Sequence, residues 1–137
     1  MPSKPVHVIV GGAAGVAATA YYPVDSETLN STWYRLGGAV GGVLGGMMPD
    51  IIDPPRSPNH RAIGHSITAN TFGLGSLSVL VLGAEPFFSD PIQQAESGEN
   101  RFLVGLYQFF LGLVIGFIGG QVSHLALDML TPKRLPI

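Results

Sequence analysis

Apolar residues gather into four runs separated by polar stretches. Pro5 to Tyr22 carries no formal charge. Leu36 to Pro49 follows Arg35 as a shorter, glycine-rich run, which Trp33 and Tyr34 extend into an aromatic interfacial anchor. Ser66 to Ala84 is uncharged and strongly apolar in its second half, and Phe102 to Leu127 is interrupted mainly by Gln108, Gln121, Ser123 and His124. Segments of this length suit the thickness of a bilayer as α-helices. The pattern predicts an all-α, integral membrane four-helix bundle in a single domain, residues 1–137, with helices over about 5–22, 33–49, 66–84 and 102–130.

Within these runs small and polar residues recur every four positions. His7, Gly11, Gly15 and Thr19 form one row; Gly38, Gly42, Gly46 and Asp50 a second; His65, Ala69 and Gly73 a third; Gly112, Gly116, Gly120, His124 and Asp128 a fourth. A helix turns about 100° per residue, so a four-residue step drifts about 40° and the row marks an inclined packing ridge. Small residues on such ridges let helices approach closely in lipid. Whether the ridges join helices of one chain or of two is left open by the sequence.

Composition agrees with a membrane domain. Only 12% of residues are charged, where a soluble domain would have roughly a quarter, and 46% are hydrophobic. The net charge of -2 offers no basic surplus for holding nucleic acid, which is therefore not expected as a partner. Cysteine is absent, which excludes disulfides and thiolate chemistry and leaves nitrogen and oxygen as the donors for any metal. Lys4, the first apolar run and Ala18-Thr19-Ala20 also fit a secretory signal with its cleavage site, but a retained helix is the preferred reading.

If the helices run up and down, Lys4, Arg56, Arg61, Lys133 and Arg134 share one side, while Arg35 and Arg101 lie on the other with most of the acids. The excess of basic residues predicts that both termini are cytoplasmic. On that topology His7, Asp50, Asp53, His60, His65, His124 and Asp128 all fall on the cytoplasmic face. Imidazoles and carboxylates beside apolar segments are costly unless employed, so the expectation is one metal site at the mouth of the bundle.

Each motif also has a plainer reading. His7 alone reads more readily as a hydrogen-bonded interfacial residue, and His124 with Asp128, four apart, as a buried hydrogen-bonded pair. Pro49 through Pro55 could form a simple turn, since proline ends helices and aspartate caps them. Arg61 suits either an anionic substrate or a neighbouring aspartate. Ser66 fits a helix cap better than a nucleophile, and no Ser-His-Asp triad is expected.

The order Pro49-Asp50, His60-Arg61, His65-Ser66, then Gly119 or Gly120 leading to Ser123-His124, Asp128, Leu130, Thr131 and Pro132 resembles the YdjM-like inner-membrane metal-dependent hydrolases over nearly the whole chain. His7 matches an early histidine of that pattern. The family's Pro-Asp-x-Asp-His-Pro is here Pro49-Asp50-Ile51-Ile52-Asp53-Pro54, and Ala62 and Gly64 replace a common glycine and threonine. What the resemblance implies is a metal-site architecture. The expected metal ligands are drawn from His60, His65, His124, Asp128, His7, Asp50 and Asp53. Zinc is expected first and manganese second, given the number of carboxylates.

The leading expectation is hydrolysis of an ester or phosphoester, on a lipid or lipid-linked substrate because of the site's location. A metal-activated water would attack, Asp50 or Asp53 would accept its proton, and Arg61 would stabilise developing negative charge. The rival is a non-catalytic accessory or oligomer-forming subunit of a membrane complex, with the metal as a structural clamp. An ion or proton pathway ranks last, since it needs polar residues through the full depth of the bundle.

Overall fold

The computed structural model describes residues 4–21, 31–52 and 101–130. They form three helices, α1 (Lys4–Tyr21), α2 (Ser31–Ile52) and α3 (Arg101–Met129), and no strand among the described residues. The segment predicted at 66–84 lies outside the described residues. The expected spans 5–22 and 102–130 agree with α1 and α3 to within one residue at each end. The second does not: α2 begins at Ser31 and continues through Pro49, which lies inside the helix and is almost wholly buried. Pro49 was expected to end this helix. A proline can stay inside a helix when neighbouring helices enclose the freed backbone, as they do here.

The four-residue rows are the packing surfaces. On α1 the buried residues are His7, Gly11, Gly15 and Thr19. On α3 they are Val104, Gly105, Gln108, Gly112, Gly116, Gly120, His124 and Asp128. α2 carries two parallel rows, Tyr34-Gly38-Gly42-Gly46 and Gly37-Gly41-Gly45-Pro49. It therefore packs on both neighbours, with main chain meeting main chain. A Cβ on Gly11 would lie 2.5 Å from the Gly42 carbonyl oxygen, and Cβ atoms on Gly116 and Gly120 would strike Gly38 and Gly42. Without a hydrophobic drive between helices in lipid, such close van der Waals packing holds them together. The described glycine rows thus join helices within one chain.

These pairings also fix direction. Gly112, Gly116 and Gly120 of α3 meet Tyr34, Gly38 and Gly42 of α2 in rising order, so the two helices are parallel. Gly11 meets Gly42 and Gly46 whereas Gly15 meets Gly38 and Gly42, so α1 is antiparallel to α2. The start of α1 and the ends of α2 and α3 consequently share one end of the bundle.

Polarity is distributed inside out. Among the described residues the buried polar or charged ones are His7, Thr19, Gln108, His124 and Asp128, and the buried hydrophobic ones are Tyr34 and Val104. Outside, α2 shows Leu36, Val40, Leu44, Met48, Ile51 and Ile52, and α3 shows Phe102, Leu103, Leu106, Phe110, Val122 and Met129. A soluble protein would bury these residues and expose the others. Only α3, over Phe102–Met129, is long and apolar enough by length and composition to cross a membrane among the described helices. α2 spends its inner face on glycine, which lowers its mean hydropathy without changing the apolar character of its outer face.

Candidate metal centre

Three side chains from two helices meet at the shared end. His7 comes from the first turn of α1, and His124 and Asp128 come from successive turns near the end of α3. All three are buried, with Asp128 at 0% exposure. One ligand atom from each can be chosen so that all lie within 4.8 Å of one another, and this group could hold a metal ion. The convergence follows from the rows: His7 and His124 continue their glycine ridges by one step and Asp128 by two, so close packing at the glycines carries the polar ends together.

The spacing suits a cation between the groups. His124 Nε2 stands 3.6 Å from Asp128 Oδ2, and His7 Nε2 stands 4.0 Å from Asp128 Oδ1. Both separations exceed good hydrogen-bond length. Two ligands bound at about 2.0–2.1 Å to a tetrahedral ion are about 3.3 Å apart, so a small contraction would close these atoms on one centre. The two imidazoles stack with ring centroids 4.1 Å apart and an angle of 27° between planes, which holds both rings to the same side of the carboxylate.

His124 is fixed from behind. Its Nδ1 is 2.6 Å from the carbonyl oxygen of Gly46. A carbonyl only accepts, so Nδ1 carries the proton and donates, leaving the lone pair on Nε2 on the side of Asp128. That second hydrogen bond is the usual orienting device of a metal-binding histidine. Asp50, half-buried one turn beyond Gly46, also acts electrostatically on the His124 ring together with Asp128.

On its inner side the centre is closed by main chain. Gly11 and Gly120 lie one turn inward from His7 and His124, and both pack on the backbone of Gly42 and Gly46. Among the described residues this glycine seam separates the centre from the buried Thr19 and Gln108 farther along, which weighs against a pathway for ions or protons along these ridges.

His7, His124 and Asp128 are thus brought together, with Asp50 acting electrostatically on the His124 ring, while Asp53, His60, Arg61 and His65 lie outside the described residues. The geometry gives His7 a larger part than its isolated place in the sequence suggested. The signal was its position as first member of the row ending at Thr19. The Gly46 carbonyl was missed because a backbone acceptor has no sequence signature. Gln108 was noted only as an interruption, although it extends the α3 row outward by one four-residue step.

No curated protein and no solved structure matches the chain. The family described as YdjM inner membrane protein matches it over residues 1–137, its whole length. With polar groups inside, apolar groups outside and a helix able to cross a bilayer, the chain belongs to the YdjM inner membrane protein family.

Proposed function

We propose that this protein is a membrane-embedded, metal-dependent hydrolase of an ester or phosphoester in a lipid-linked substrate. The observation that carries the reading is the convergence of His7, His124 and Asp128 with the His124 ring held by Gly46. Zinc fits this nitrogen and oxygen donor set first and manganese second. When bound, the ion supplies Lewis acidity and a water of lowered pKa. Asp50, one turn beyond Gly46, is assigned the proton of the attacking water, with Asp53 as the other candidate, and Arg61 is assigned to the developing negative charge. Apolar exposed residues surround the same end, including Ile9, Met48, Ile51, Ile52 and Met129, which favours a substrate with acyl or prenyl chains.

Removal of metal tests this directly. Detergent-purified protein is assayed for cleavage of phosphoester and carboxyl-ester lipids before chelation, after chelation, and after return of zinc or manganese. The expected result is a loss of at least about 100-fold on chelation and recovery on return of the ion. Bound metal with no turnover on any lipid would favour a structural clamp in an accessory subunit, a reading that the deep burial of all three ligands supports. Absence of metal binding would end the hydrolase reading.

The proposal includes four membrane crossings with both termini cytoplasmic. Antiparallel α1 and α2, with α3 parallel to α2, have the directions that the first, second and fourth spans of an alternating bundle require, and 66–84 would supply the return span. Because the chain has no cysteine, Leu44→Cys introduces a single thiol on the outer face of α2. In intact membranes that thiol is expected to resist a water-soluble maleimide and to react once the protein is denatured. Ready labelling before denaturation would remove α2 from the bilayer.

A further inference from the structure

We propose that Gln108 fixes the register of α3 on α2 by pairing its carboxamide with that of Asn30, at the end of the bundle away from the metal centre. The pairing does not depend on the metal reading.

Gln108 is buried to 1% exposure, and neither the oxygen nor the nitrogen of its carboxamide has a hydrogen-bond partner among the described residues. Inside a bilayer no water compensates a bare amide, so such a group is costly unless another polar group meets it. Satisfying both atoms takes a partner that donates and accepts, as a second carboxamide does.

The seam between α2 and α3 indicates where that partner lies. Gly112 meets Tyr34, Gly116 meets Gly38, Gly120 meets Gly42 and His124 meets Gly46, and each pair is 78 positions apart. One further step outward sets Gln108 against Asn30. Asn30 lies outside the described residues, but it directly precedes Ser31, the first residue of α2, and asparagine is a favoured cap at that position. Capping uses one lone pair of Oδ1. The other lone pair and the Nδ2 hydrogens are left for Gln108, whose Nε2 donates to Oδ1 while its Oε1 accepts from Nδ2.

A pin is needed because the seam is smooth. Sliding α2 along α3 by one turn would set Gly112 on Gly38, Gly116 on Gly42 and Gly120 on Gly46, again glycine on glycine, while carrying the Gly46 oxygen away from His124 Nδ1. Close glycine packing does not by itself choose between these registers. A polar pair at one step does, as a single buried asparagine does between coiled helices. The observed register brings Gln108 to Asn30, whereas the slipped one opposes it to Tyr34.

Because the chain has no cysteine, introduced thiols report on position without interference. In metal-free membranes Asn30→Cys with Gln108→Cys is expected to cross-link under mild oxidation, whereas Asn30→Cys with Leu106→Cys, on the exposed face of α3, is not. Register is read separately by electron paramagnetic resonance, from spin labels on Leu36→Cys and Met129→Cys, both exposed. One distance is expected with Gln108 in place. Gln108→Leu should raise the ratio of a slipped population, longer by up to about 5.4 Å, by about 3- to 20-fold. Asn30→Leu should do the same, and the two together no more than either alone. Cross-linking of Asn30→Cys to Leu106→Cys but not to Gln108→Cys, or to neither, overturns the pairing. A single unchanged distance in Gln108→Leu overturns the register role, whether or not the protein binds metal.

Discussion

Asp128→Ala is expected to empty the metal centre. Its carboxylate faces the Nε2 atoms of both His7 and His124, at 4.0 and 3.6 Å, and it brings the negative charge that a cation in a low-dielectric interior requires. Without it two neutral imidazoles remain, and affinity should fall by at least about 100-fold. Elemental mass spectrometry of detergent-purified protein is expected to find about one equivalent of zinc or manganese in the wild type and background in Asp128→Ala. Asp128→Asn, which keeps the shape and removes the charge, separates loss of ligation from loss of fold. His124→Ala should behave like Asp128→Ala, because it removes both a donor and the bond to Gly46. Full metal content in all of these variants would show that the ion, if any, is held elsewhere.

Substitution at Gly42 is expected to have the largest effect on folding. This residue lies between two backbones: on one side it meets Gly11 and Gly15, and on the other its carbonyl lies against Gly120. Even a single methyl would approach the Gly15 Cα at 2.9 Å, and the main chain cannot rotate aside as a side chain can. Overpacking of a core usually costs about 1–3 kcal/mol, and Gly42→Leu should exceed that range because it separates two helix pairs at once. Gly12 is the matched control. Its added Cβ would meet chiefly the Val43 side chain, at 3.2 Å, so Gly12→Ala should change stability by less than about 1 kcal/mol. Unfolding in mixed micelles with increasing denaturing detergent checks both. Equal stability of Gly42→Leu and wild type would mean that α2 does not sit between α1 and α3.

The four-residue rows carried most of what could be read in advance. Gly112 through Asp128 and His7 through Thr19 are buried ridges, as their spacing implied, because a small residue at each fourth position leaves a continuous groove on a helix. Pro49 was misread. Local chemistry favours the end of a helix at proline, but packing on both sides of α2 keeps the helix intact through Ile52. His7 was undervalued for a related reason. Taken alone, an imidazole near a helix start has many uses, and what distinguishes this one is a partner 121 positions away, Asp128. Such separations leave no local pattern.

By itself the sequence determined the helical class, the membrane setting, the faces that pack and the absence of thiolate from any metal site, since these follow from periodicity and composition. It also placed His124 and Asp128 on one helical face. Only the tertiary structure decided that the described glycine ridges join helices of the same chain, that α2 packs on both α1 and α3, and that His7 meets His124 and Asp128. Only there does the Gly46 carbonyl become the partner of His124. The physical reason is that ridge spacing specifies which surface of a helix can approach another, whereas partner, direction and register depend on how several backbones fit at once.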